Sequence, residues 1–274
     1  MNINVAAKTT EFTVTPLTGA VAAAVRGVDL ANLNEATFAK IRAAFLEHCM
    51  LVFPEQFLAP EPQLAFAARW GEVSITPMVT NYMEGFPGVL RLTNKGKDKT
   101  PTENWHYDSS FQEKPPAVTI LAAQDLPAMG GDTMWCNQYL AYERLSDGLK
   151  AMLDGVRARF CGARLARAHA HQGEIPEQYH PVVRTHPETG RKALFVGHPE
   201  TCTNFENMTV AESRPLLDYL YAHSVQPDAI YRHMWKLGDV LMWDNRCTMH
   251  YAVHDYGMQT RNMNRVTVKG TKPV

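Results

Sequence analysis

Three side chains with metal-binding chemistry stand out: His106, Asp108 and His250, the first two separated by one residue and the third 142 positions beyond Asp108. Two neutral imidazoles and one carboxylate on one face of an octahedron suit iron(II) and leave three positions open for small ligands. Arg261 follows His250 at eleven residues. Its guanidinium is a fork-shaped cation of the kind that holds an acidic co-substrate beside such a metal. Together these residues describe oxygen-activating chemistry.

His-x-Asp alone is a short pattern, readily produced by chance among 11 histidines and 28 acidic residues, so its weight comes from its surroundings. Trp105 before it and Ser109-Ser110-Phe111 after it read as a strand leading into a turn. In a strand, His106 and Asp108 share a face and Tyr107 points away. His254 lies four residues beyond His250, and in an extended strand those two also share a face. Residue types therefore leave both open as the third ligand.

The elements that must position these groups are short and mostly extended. Residues 12–17 alternate like an edge strand, Asn34 caps a helix carrying Phe38, Ile41 and Phe45 on one face, and Met50–Phe53 reads as a buried strand. Pro62 suits the first turn of a helix reaching about Trp70, which Gly71 stops. Residues 94–104 contain no apolar anchor and read as a mobile loop entering the metal motif. Strands are expected at 118–123 and 133–135 around a tight turn at Gly130-Gly131, then one helix over 138–153. A basic segment with Arg164, Arg167, His169 and His171 reads as a closing loop that adds positive charge. The last third alternates strands (193–196, 230–235, 240–243, 248–253, 265–268) with turns and has one helix, 209–223. The pattern predicts a mainly β chain with flanking helices, a double-stranded β-helix (jelly roll), as a single domain over 1–274.

Bulk properties narrow the partners. With 27 basic and 28 acidic residues the chain carries no field for nucleic acid, and the apolar run at 20–25 is far shorter than the roughly 20 residues of a membrane span. Five dispersed cysteines without a Cys-x-x-Cys pair fit a reducing compartment. The first ten residues lack the regions of a secretory signal and should be frayed. A cytoplasmic enzyme for a small molecule is the expectation.

The chain resembles the iron(II)/2-oxoglutarate dioxygenases of the taurine dioxygenase and 2,4-dichlorophenoxyacetate dioxygenase family. The resemblance runs from about Phe12 to Pro273 through Asn104-Trp105-His106-Tyr107-Asp108, Gly130-Gly131-Asp132-Thr133, the segment His180 to Pro187, Trp243-Asp244-Asn245-Arg246 and the ending His250 to Arg265. It implies His106, Asp108 and His250, not His254, as ligands of Fe(2+), with O2 and 2-oxoglutarate as co-substrates. It implies Thr133 and Arg261 on the far carboxylate of 2-oxoglutarate and Arg265 on the substrate's anion, the bland reading of Arg265 being a support for Arg261 or a partner of Asp244. Asn104 would add a hydrogen bond to substrate.

One departure is visible. Where the taurine enzyme has a histidine and a tyrosine that contact taurine, this chain has Thr76 and Val79. The less polar pocket implies an organic acid with an apolar body, such as an aryloxyalkanoate, an alkyl sulfonate or an alkyl sulfate ester. Hydroxylation at a carbon bearing oxygen or sulfur would lead on to cleavage, and the Asp108 carboxylate leaves no vacancy for a halogenase's chloride. Relatives of this kind are often dimers or tetramers, so a homo-oligomer using helix 209–223 is expected. A metal-binding jelly roll that is not an oxygenase, an isomerase or a sensor, is the alternative; it would have no need of Thr133 and Arg261.

Overall fold

Strand Val118–Asp125 organises the molecule because it is apolar on both faces: Val118, Ile120 and Ala122 enter one cluster, Leu121 and Ala123 another. A strand of that kind must lie between two layers. In a computed structural model, which describes residues 11–76, 78–94 and 102–274, it is the fifth strand of an eight-stranded sheet. The order is Thr13–Pro16, Ala23–Arg26, Met50–Phe53, Val240–Asp244, Val118–Asp125, Arg261–Val268, Phe86–Asn94 and Tyr82–Met83. Only the pair Ala23–Arg26 with Met50–Phe53 is parallel. The expected frayed start, and most of the loop expected at 94–104, lie outside the described residues.

A second, antiparallel sheet of Ile230–His233, Thr133–Asn137 and Thr248–Ala252 faces the first. Between them Trp135 meets Trp243 edge to face, centroids 5.5 Å apart, with Leu121, Leu241 and Met263 completing the layer. Helices Glu35–His48 and Pro60–Ala68 cover the outer face of the large sheet. Helix Val210–Ser224 packs Leu217 and Leu220 into a third cluster, so its apolar stripe is spent on the core. The chain is mainly β with some helices.

Asn34 caps its helix as expected, accepting from Thr37 N at 2.8 Å. The single helix expected over 138–153 is instead two, Gln138–Glu143 and Asp147–Leu153, because Ser146 is extended and its hydroxyl caps Leu149 N. The basic segment is not a loop throughout: Ala163–Ala168 is helical. All five cysteines are free and buried, and no helix among the described residues is long and apolar enough to cross a membrane.

The turn from Val240–Asp244 into Thr248–Ala252 delivers His250, and a buried ionic network fastens it. Asp244 Oδ1 accepts from Arg246 N and Nε, both at 2.8 Å. Its Oδ2 accepts from Arg246 Nη2 at 2.7 Å and pairs with His186 Nε2 at 3.0 Å. Arg246 Nη1 reaches Glu188 at 2.6 Å, and Glu188 also binds Arg42. Burial disfavours the Asp244 anion, but Arg246 outweighs it and holds the carboxyl well below the ordinary carboxylate range.

Candidate metal centre

The His106–Asp108 segment is not the extended strand its alternation predicts. His106 makes one reciprocal pair with His250, N to O at 3.0 Å in both directions. The chain then turns, with Ser109 in the left-handed region at φ 43°. A strand needs a repeated ladder, and here pairing stops after one residue because Asp108 is already in the turn. Tyr107 still points away, its ring against Phe195 and its hydroxyl donating to Leu194 O at 2.7 Å.

The convergence expected of the three side chains is present. One donor atom each from His106, Asp108 and His250 lies within 4.8 Å of the others. His106 Nδ1 is 2.7 Å from Asn104 O, so Nδ1–H donates there and the Nε2 lone pair is left for a metal. Burial lowers the His106 pKa to about 3, with His250 adding repulsion, which keeps the ring neutral at pH 7. Burial opposes ionisation of Asp108 too, but Arg265 and the imidazoles prevail and keep it well below the ordinary range. His254 stands outside the cluster, hydrogen-bonded to Glu103 and Gly257 O.

A cavity of about 500 Å³ opens over the three residues. Thr133, Arg261 and Arg265 line it, as do Asn104, Thr76 and Val79. Arg261 is buried, donates to Gly131 O at 3.0 Å and Thr133 Oγ1 at 3.3 Å, and has no carboxylate at ion-pair distance among the described residues. Burial pulls its pKa below the ordinary value. Thr133 Oγ1 already accepts from Trp235 Nε1 at 3.0 Å and from Arg261, which leaves its own hydrogen to donate elsewhere. A buried cation and a hydroxyl hydrogen aimed at one spot make a receptor for a carboxylate.

Arg265 neither supports Arg261 nor pairs with Asp244. Its Nη2 lies 2.7 Å from Asp108 Oδ2. Arg164 and His169 also line the cavity, but Arg164 is engaged by His198 and Glu200, and Arg167, at 3.5 Å from the same Glu200, is exposed. The positive charge expected from this segment is therefore partly neutralised. Leu90, Leu92, Phe111, Leu121 and Leu165 add an apolar stretch to a wall that also carries Asn81, Asn94 and Ser110.

These residues offer a two-histidine, one-carboxylate set that could hold a metal ion, beside a buried arginine and a threonine hydroxyl. Residues 13–267 match the model of the family described as taurine catabolism dioxygenase TauD, TfdA. An alpha-ketoglutarate-dependent sulfate ester dioxygenase of Pseudomonas putida is 35% identical, over 96% of this chain and 91% of that one. An (S)-phenoxypropionate/alpha-ketoglutarate-dioxygenase of Sphingobium herbicidovorans is 34% identical, over 88% and 89%. Among solved structures, a taurine dioxygenase from Burkholderia xenovorans superposes with a TM-score of 0.84 at 35% identity, covering 96% of this chain and 92% of that one. The chain belongs to the TauD/TfdA family and is a 2-oxoglutarate-dependent dioxygenase that uses iron(II) and O2.

Thr119 and Asn245 escaped the sequence reading as functional residues. Thr119 donates to Asp108 Oδ2 at 2.7 Å and accepts from Asn245 Nδ2 at 2.8 Å. A threonine in an apolar strand carries no sequence signal beyond β propensity.

Proposed function

We propose that this chain is a single-domain double-stranded β-helix, its two facing sheets forming the walls of the barrel. In it His106, Asp108 and His250 hold iron(II), Thr133 and Arg261 hold the far carboxylate of 2-oxoglutarate, and Arg265 receives the anionic group of the substrate. The observation that carries this reading is the buried Arg261, which has no carboxylate partner among the described residues, beside a Thr133 hydroxyl whose oxygen already accepts two hydrogen bonds. An isomerase or sensor would have no use for it.

Bound iron(II), with oxygen and 2-oxoglutarate, supplies the oxidant for a C–H bond, and 2-oxoglutarate leaves as succinate and carbon dioxide. The residues of the chain do the positioning: the Asn104 carbonyl fixes the His106 tautomer, Trp243 packs on His250 at 4.8 Å, and apolar walls keep water from the reacting carbon. The substrate is an organic anion with an apolar body. Sulfate ester and phenoxypropionate dioxygenases among the relatives support it, as do Val79 and the leucine-lined wall. A structure of a further relative, AAD-2, with Mn(II) and N-oxalylglycine bound (TM-score 0.83, 29% identity, 96% of this chain and 99% of that one), supports the paired metal and dicarboxylate sites.

Succinate release by the iron(II)-loaded protein across alkyl sulfates, alkyl sulfonates and aryloxyalkanoates tests the assignment. One class is expected to stimulate turnover strongly; no succinate with any of them would end this reading. Gly131→Ala gives a local check. Gly131 has φ +74°, and a Cβ there would stand 3.1 Å from Arg261 Cδ. Backbone strain of about 1–2 kcal/mol and a displaced guanidinium should raise KM for 2-oxoglutarate while manganese(II) affinity stays unchanged. Equal losses in both would argue for general damage instead.

A further inference from the structure

Asp108 is held on one oxygen. Its Oδ2 accepts the Thr119 hydroxyl at 2.7 Å and forms an ion pair with Arg265 Nη2, also at 2.7 Å, whereas Oδ1 faces His250 Nε2 at 3.5 Å. The two donors on Oδ2 differ in freedom. Arg265 keeps 21% side-chain exposure, lines the cavity, and has an Nε without a partner. Thr119 is fully buried at the centre of the large sheet, opposite Trp243 on one side and Thr267 on the other.

The direction of the bonds behind Thr119 follows from elementary donor chemistry. The Trp243 indole can only donate, and it donates to Asn245 Oδ1 at 3.0 Å. That fixes the orientation of the Asn245 amide, so Nδ2 faces Thr119 and donates to Oγ1 at 2.8 Å. With its oxygen accepting, the single hydroxyl hydrogen of Thr119 goes to Asp108. The backbone of Asn245 is tied as well, its N–H on Ala117 O at 2.9 Å. A one-way chain therefore runs Trp243 to Asn245 to Thr119 to Asp108, every member buried and the direction of each of its three bonds assigned.

We propose that this chain is a positioning device that presents Oδ1 of Asp108 alone to the metal, and that it frees Arg265 to leave Asp108 for the substrate's anion. The inference rests on the dioxygenase reading. Without Thr119, a carboxylate that lost Arg265 to the substrate could rotate and offer both oxygens, filling a coordination position that oxygen or 2-oxoglutarate requires. Thr119 contacts no reacting atom, so it is a positioning residue whose effect reaches the metal only through Asp108.

Cobalt(II) binding to the otherwise complete protein, followed by its visible absorption spectrum, tests this without turnover. Thr119→Val, nearly the same shape without the hydroxyl, is expected to weaken cobalt about 10- to 100-fold and to change the band pattern. Thr119→Ser should restore both, and Arg265→Ala should not weaken cobalt binding. Wild-type affinity and spectrum in Thr119→Val overturns the proposal, and so does a Thr119→Ser variant as impaired as Thr119→Val, because packing of the methyl would then be the cause. Should Thr119→Val not melt cooperatively, Asn245→Ala reads the same chain: a smaller loss in the same direction supports the proposal, and unchanged cobalt binding refutes it. Wild-type protein that binds cobalt but, loaded with iron(II), releases no succinate would overturn the dioxygenase reading and leave the metal-positioning result standing on its own.

Discussion

Arg261→Ala is expected to raise the dissociation constant for 2-oxoglutarate at least about thirty-fold. Truncating one partner of a buried, hydrogen-bonded charge pair costs about 2–5 kcal/mol, and about 1.4 kcal/mol is tenfold. The sign of the stability change separates this from damage to the fold. Among the described residues Arg261 is a buried cation bonded only to the neutral oxygens of Gly131 and Thr133, an arrangement that burial disfavours. Its removal should cost the ligand-free fold little. The wild type should therefore melt higher on adding 2-oxoglutarate with manganese(II), by linkage to binding, whereas Arg261→Ala should melt where it did without the ligand. Arg261→Lys keeps the charge but loses the fork, and recovers part of the affinity. A thermal shift in Arg261→Ala equal to the wild type's would show that the carboxylate binds elsewhere.

Asp244→Ala should destabilise the fold by about 3–5 kcal/mol, because breaking a buried ion pair leaves the other charge uncompensated. Arg246 would keep Glu188 but lose its three bonds to Asp244, and His186 Nε2 would lose its partner. The loss is read as a lowered urea midpoint at constant slope. Its pH dependence has a defined sign. The folded carboxyl titrates below its unfolded value, so its contribution is complete above the unfolded pKa, about 4, and fades as the pH falls toward the folded value. The difference between wild type and Asp244→Ala should be level from pH 8 to 5 and shrink below about pH 4. A cost under about 0.5 kcal/mol, in the range of ordinary surface changes, would mean that the network does not fasten the turn.

These two residues also mark what was legible beforehand. Arg261 was picked out by its spacing after His250 and by the family resemblance, whereas its burial shows only in the fold. That His106, Asp108 and His250 converge was expected from their types together with the family resemblance, since residue types alone left His254 open beside His250. The strand proposed for His106 and Asp108 gave the right convergence through the wrong local geometry: a single bridge and a left-handed Ser109 do what a strand face was expected to do. Asp244 and His186 both stood in recognisable motifs, yet nothing in either segment says that they meet across 58 residues. The partner of Arg265 was likewise hidden, since sheet register decides it, and register belongs to the pairing of strands that are distant in the chain. The helix expected over 138–153 ran straight through Ser146, whose hydroxyl instead caps a second helix. Strands such as Arg157–Cys161 and Glu177–Pro181 carry charged or polar residues in place of a clean alternation, so tertiary pairing makes them strands.

The reciprocal backbone pair between His106 and His250 bears on when the centre comes into existence. Its halves are 144 residues apart, and His250 lies in a strand whose ladder partner is Thr133–Asn137. Such remote pairing is a late event in folding, because loop closure must be met before the contact rewards it. Until the segment carrying His250 has paired, the candidate metal site lacks its third donor, so iron binding is expected to follow this pairing rather than to template it. An ion held there would tie the His106–Asp108 turn to the strand that carries His250, and its loss should be felt first as loosening of that turn.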